Sequence, residues 1–251
     1  MSLLRTERLT KHFGETRAVD GVDFSVNEGE FLSLVGTNGA GKTTLVNLIS
    51  AFLAPDSGRI FIADRDITYA PVDERIRAGI ARSFQLVNLF DDLSVLDNVA
   101  LAIFAREGKT KRIFALAERD TAVTQEATEL LGQFGLAAKA QGLAGGLAQG
   151  ERKLLDVAVA YALRPKLLFL DEPTSGVSTR DKAQIMDTVS SVVRGGGITA
   201  VVIEHDMDVV FKYSDRVVVM HEGRFLADGP PEEIRRNRDV ATYLLGTDID
   251  A

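Results

Sequence analysis

The chain of 251 residues contains no cysteine. No disulfide framework is open to it, and a reducing compartment fits. Long apolar runs are also missing. Runs such as LLFL at 167–170 and VVVM at 217–220 are the size of single strands, and none approaches the roughly 20 residues that cross a bilayer. On this reading the chain forms no membrane path by itself. Its opening, MSLLRTERLTKHF, has no continuous apolar stretch of the kind a signal peptide needs. Basic residues are not in excess: 29 Lys and Arg face 36 Asp and Glu, for a net charge of −7. A dedicated nucleic-acid binder usually shows the opposite balance, so no nucleic-acid partner is expected. Repeats and low-complexity tracts are absent too.

What is present is a 45% apolar composition, enough for one good core or a main core with a satellite lobe. LLRTERL, VDFSV and FLSLV in residues 1–35 read as strands, as does RIFI at 59–62. Residues 71–163 read as mostly helical. Segments 94–105 and 112–134 space apolar residues by three and four, with Gly108, Gly132 and Gly135 as punctuation. Strands return at 167–170, 199–203 and 216–220, separated by polar-faced helices at about 178–194 and 206–213. Short helices are expected at 230–245, after Pro230 and Pro231. Alternating strands and helices predict an α/β fold whose largely parallel sheet is covered on both faces. The helical middle reads as a lobe inserted into it.

Two stretches carry chemistry. Gly36, Thr37, Asn38, Gly39, Ala40, Gly41, Lys42, Thr43 and Thr44 fit G-x-x-x-x-G-K-[ST] between a predicted strand and a predicted helix. Glycines let successive backbone N–H groups turn inward as an anion nest, and the helix adds its positive end. Lys42 would reach β- and γ-phosphates, and Thr43 would place its hydroxyl on Mg²⁺. The plain alternative is an ordinary glycine-rich turn. The second stretch, LLFLDEPTSG at 167–176, is a strand ending in two acids. The C-terminal end of a parallel strand is where α/β sheets bind ligands. There Asp171 would hold Mg²⁺ and Glu172 would polarise an attacking water as general base. Alone, the pair reads equally well as a solvated turn after a core strand. A phosphate loop alone also leaves kinases, GTPases and other NTPases open.

Together with KHFG, ARSFQ, LAQGE at 147–151 and VIEHDM, in that order along the chain, these stretches resemble the ATP-binding cassette family over nearly the whole sequence. The resemblance implies one P-loop ABC ATPase domain across 1–251, with an N-terminal antiparallel β part. Residues 1–84 and 164–251 would form the nucleotide-binding core, and 85–163 the helical signature lobe. Phe13, in KHFG, matches the aromatic that stacks on adenine. Gln85, in ARSFQ, matches the glutamine that joins the Mg²⁺ site to the helical lobe. His205, in VIEHDM, matches the switch histidine at the γ-phosphate. Each alone has a bland structural reading, and His12 and His221 match nothing.

The signature usually reads LSGGQ. LAGG at 143–146 is the closer match in composition, but the signature works as a helix N-terminus aimed at phosphate. The apolar-periodic helix ERKLLDVAVAYAL follows Gly150 directly, so the assignment goes to Leu147, Ala148, Gln149, Gly150 and Glu151. Ala148 then stands where the family usually has serine and Gln149 where it has its first glycine; Ser175 to Ser178 falls where the family's D-loop does, with Ser178 where aspartate is frequent.

The resemblance implies a Mg-dependent ATPase that binds ATP between two cassettes, so a second cassette, identical or related, is an expected partner. It also implies transmembrane permease subunits and, through them, a substrate-binding protein, at the cytoplasmic face of a bacterial or archaeal inner membrane. ARSFQLVNLFDDLSVLDNV, VIEHDMDVV and NRDVATYLLG resemble the branched-chain (hydrophobic) amino acid uptake type, with urea and short amide uptake close by. The basic stretch REGKTKR at 106–112 is either a solvated loop or a contact with permease or anionic headgroups. Three alternatives stay open: a non-transport ABC ATPase, a regulatory cassette that barely hydrolyses ATP, and a P-loop kinase.

Overall fold

The structure is a computed structural model and describes residues 1–83, 89–109 and 120–245. The first strand, β1 (Ser2–Phe13), is long because it changes partner along its length. Its start pairs antiparallel with β3 (Ser25–Asn27), and its end with β2 (Thr16–Val22). β5 (Ser57–Ile62) runs antiparallel along its other edge and carries the two-residue β6 (Arg65–Asp66). Arg8 takes a positive φ of 44°, where the register of β1 against β5 shifts between Glu7 and Thr10. Such a bulge bends a strand and raises its twist.

β4 (Phe31–Val35) begins the second sheet and runs into α1 (Lys42–Ile49). After β6 come α2 (Val72–Arg77), β7 (Ile80–Arg82), α3 (Val95–Arg106), α4 (Thr121–Gln133) and α5 (Gln149–Ala162). The chain then alternates: β8 (Leu167–Asp171), α6 (Thr179–Gly195), β9 (Thr199–Ile203), α7 (Met207–Tyr213), β10 (Arg216–His221), β11 (Arg224–Gly229) and α8 (Pro231–Arg236). The second sheet has the order β11-β10-β4-β9-β8-β7 and is parallel except for β11 at its edge.

All five residues of β4, β8 and β9 are buried, the pattern of a sheet covered on both faces. Their side chains divide with period two. Leu167, Phe169, Val201 and Ile203 pack with Leu45 and Ile49 of α1 and with the antiparallel sheet. Leu168, Leu170, Ala200 and Val202 pack toward α3, α4, α5 and α6.

Three details add to the expected layout. β7 lies inside the segment expected to be helical: Ile80, Ala81 and Arg82 pair with Leu167, Leu168 and Phe169. A three-residue strand leaves almost no periodic trace, and its partner is distant in sequence. β11 follows from a tight turn at Glu222 and Gly223, both with positive φ. Residues 137–139 and 144–146 form single 3-10 turns rather than helix. The first part of the expected helix 112–134 lies outside the described residues, as do residues 110–112 of the basic stretch.

Candidate nucleotide site

Three parallel strands, β4, β9 and β8, lie side by side in that order and end at the same edge of the sheet. Neighbouring strands are about 4.8 Å apart, so the loops after β4 and β8 open roughly 10 Å from each other, with the loop after β9 between them. The first loop is Gly36–Gly41, the second begins with Glu172, and the one between holds Glu204 and His205. Lys42 and Glu172 are far apart in the sequence, and the strand order alone brings them together.

The glycine loop needs its glycines. Gly36 and Gly41 have φ of 155° and 106°, and a Cβ on either would strike a carbonyl oxygen, of Met220 and of Ala18 respectively. The contact with Ala18 also seats the loop against β2. Lys42 folds back over the loop, its Nζ donating to the carbonyls of Gly36 at 2.7 Å and Thr37 at 3.0 Å. Burial pushes the pKa of Lys42 down, and the charges of Glu172 and Asp171 push it back up. The ammonium therefore feels both acids. Thr37, Asn38, Gly39 and Thr43 lie toward solvent, while Ala40 is buried beneath.

Glu172 sits at φ 48°, a left-handed conformation rare for a residue with a side chain. Its N–H donates to Ile203 O at 2.9 Å, and its carbonyl accepts from Ser175 N at 3.1 Å. Its Oε1 lies 3.9 Å from Nδ1 of His205. The loops carrying the two are tied below by Glu204, only 1% exposed. Thr174 donates to the Glu204 carboxylate through its hydroxyl at 2.6 Å and its N–H at 3.2 Å, and His205 N donates to it at 3.2 Å.

Asp171 is paired with Arg82 of β7. Arg82 Nη2 lies 2.6 Å from Asp171 Oδ2, and the two side chains are 8% and 7% exposed. The other terminal nitrogen of Arg82 donates to Asn47 Oδ1 on α1, at 2.6 Å. This arginine joins the edge strand, the acid and the helix of the glycine loop.

The segment Leu147–Glu151 stands apart, at the tip of α5. Ala148 is the N-cap residue, with extended backbone, and Glu151 accepts from Ala148 N at 3.0 Å. A methyl group cannot accept the return bond, so only half of a capping box exists. Ala148 and Gln149 are exposed and Gly150 half-buried, and Gln149 Nε2 lies beside Gly176. LAGG opens no long helix, since Ala144–Gly146 is a separate 3-10 turn. Phe13, at the end of β1, is 49% exposed, with the Lys11 ammonium 5.7 Å from its ring. Gln85 lies outside the described residues.

The ABC transporter family model matches residues 19–175. This chain belongs to that family. The high-affinity branched-chain amino acid transport ATP-binding proteins of Salmonella typhimurium and Pseudomonas aeruginosa are each 34% identical to it over 252 residues, covering 97% of this chain and 98% of theirs. Among solved structures, the ADP conformation of an ATP-binding cassette of an ABC transporter superposes with a TM-score of 0.88 at 31% identity, covering 98% of this chain and all of that one. A dimeric post-hydrolysis cassette bound to ADP and Pi gives 0.77 at 25% identity, over 91% and 98%. The cassette is thus an ATP-binding ABC ATPase of a transporter, and no helix among the described residues is long and apolar enough to cross a membrane.

The donor set suits Mg²⁺. Among the described residues no group of three or more His, Cys, Asp or Glu is gathered for a metal. Mg²⁺ takes few protein ligands and keeps waters and phosphate oxygens; a hydroxyl such as that of Thr43 and a carboxylate such as that of Asp171 are donor types it accepts, with Asp171 Oδ2 already engaged by Arg82. Ser178, where the family often has aspartate, caps α6: its Oγ accepts from Asp181 N at 3.3 Å and donates to Asp181 Oδ2 at 2.7 Å. Serine and aspartate cap equally well, so this departure has a local structural account.

Arg82, Glu204 and Lys153 are not visible as site residues in the sequence. Each leaves a trace: a charged residue where the pattern asks for an apolar one, at the end of GIAR, after VVI, and within the apolar stripe of ERKLLDVAV.

Proposed function

We propose that the cassette is the ATP-hydrolysing motor of an uptake transporter for branched-chain or related amino acids, or small amides. It would work bound to permease subunits at the cytoplasmic face of a bacterial or archaeal inner membrane. The observation that carries the ATPase chemistry is the convergence of Lys42, Glu172 and His205 at one sheet edge. The relatives' names support the substrate class. Exposed Phe52, Tyr69, Val72, Ile76 and Phe90 offer apolar surface of the kind a permease would cover.

In this reading the backbone N–H groups of 36–44 and Lys42 hold the phosphates, and Phe13 lies against adenine. Thr43, Asp171 and Gln85 would hold Mg²⁺, which when bound neutralises developing charge on the phosphates. Glu172 takes a proton from the attacking water, and His205 aligns that water against the γ-phosphate. Ala148, Gln149, Gly150 and Glu151, at an exposed helix tip, would close on nucleotide held by a second cassette. Residues 85–163 would move as the signature lobe against the remainder.

Glu172→Gln keeps the shape of the side chain and removes the base. Steady-state phosphate release should fall at least about 100-fold, the usual worth of a general base, while ATP binding persists and an ATP-trapped dimer accumulates. Unchanged turnover would remove Glu172 from this role. The same assay on the parent chain separates a motor from a regulatory cassette, which would bind ATP and scarcely turn over.

A further inference from the structure

The buried ammonium of Lys153 has no role in the chemistry proposed above. Lys153 lies one turn into α5, the helix whose tip carries Ala148–Gly150, and is 3% exposed. Its Nζ donates to the backbone carbonyl of Glu172 at 3.1 Å and to Ser175 Oγ at 3.0 Å. Burying a lysine is unfavourable unless polar partners compensate. Burial lowers its pKa, and the charges of Asp156, Glu172, Glu204 and Asp171 oppose that shift.

The carbonyl it grips belongs to the residue with the strained backbone. A non-glycine residue in the left-handed region costs about 1–3 kcal/mol and persists only where its surroundings impose it. Glu172 is held at its N–H by β9 and at its carbonyl by Ser175 N. Lys153 adds a third hold, and it alone of the three comes from α5.

We propose that Lys153 is a positioning residue: a strut that fixes the aim of Glu172 and ties it to the helix tip presented to a second cassette. This rests on the reading of Glu172 as the base. Seating of the tip on a partner's nucleotide and orientation of this chain's own base then become one rigid unit.

The test uses the full chain in its ATP-driven dimer or with its permease. Lys153→Met keeps an unbranched side chain in the buried site and removes the donor. Its kcat should fall about 10- to 100-fold, the scale of a misplacement near 1 Å, with the dissociation constant for a fluorescent ATP analogue changed less than about twofold. Lys153→Arg, which keeps a cationic donor, should recover most of the loss. Ser175→Ala removes the second anchor without emptying a buried site and should lower kcat in the same direction, keeping the question open to answer if Lys153→Met does not fold. Wild-type kcat in Lys153→Met and Ser175→Ala, with Glu172→Gln inactive, overturns the strut and leaves the base in place. A Lys153→Met that loses melting temperature and ATP affinity together, with no rescue by arginine, shows a merely structural lysine and overturns it too. An active Glu172→Gln defeats the underlying reading itself.

Discussion

The half-made cap at the tip of α5 can be completed with one atom. Ala148 already has the extended backbone of an N-cap residue, and the Glu151 carboxylate already accepts from its N–H. Ala148→Ser would place an Oγ where it accepts from the Glu151 N–H, closing the reciprocal pair. Removing such a cap elsewhere typically costs about 1 kcal/mol, so adding it should stabilise the chain by about that much and raise Tm by about 2–4 °C at this size. A hydroxyl has one hydrogen to give as well as lone pairs to receive, so the capping serine still has a donor for phosphate. A hydrogen bond to a charged group is worth about 1.5–3 kcal/mol, or roughly 10- to 150-fold in affinity at about 1.4 kcal/mol per decade. The substitution should therefore act twice. Differential scanning calorimetry of the nucleotide-free chain reports the cap. Sedimentation of the ATP-bound dimer, in a Glu172→Gln background that prevents turnover, reports the phosphate contact. A raised Tm with unchanged dimerisation would show that the tip does not meet nucleotide. An unchanged Tm would show that Ala148 is not the cap residue.

Lys42→Ala removes a charged donor to phosphate and should weaken ATP binding by roughly 10- to 150-fold with the fold intact; calorimetric titration giving parent-like affinity would contradict the phosphate-loop assignment. Arg82→Met should lower stability by about 3–5 kcal/mol, because it leaves the buried Asp171 carboxylate without its arginine. Adding Asp171→Asn should recover part of that loss, and a denaturation midpoint unmoved by the single change would show that the pair contributes nothing.

Much of this site is readable in the sequence because its parts are local. A glycine loop between strand and helix, and two acids after LLFL, announce themselves within short stretches. The parallel strands β8, β9 and β10 fall where apolar runs lie, since a strand buried on both faces has no polar alternation to confuse it. Partners separated by long loops are not readable. Arg82 meets Asp171 only because β7 pairs with β8 in register, and Thr174 meets Glu204 only because β9 lies next to β8. The switch in partners along β1 is equally hidden, because one long strand and two short ones give the same alternation.

Arg82 and Ser83 mark where the main chain leaves the sheet. Ser83 N–H donates to Phe169 O at 2.9 Å, and Arg82 is pinned between Asp171 and Asn47. A pull transmitted to Arg82 is met by side-chain contacts on both sides of it. Its first load falls on the carboxylate of β8 and on the helix under the glycine loop. In the transporter proposed above, a permease acting on this point would reach the glycine-loop end of the molecule through Arg82.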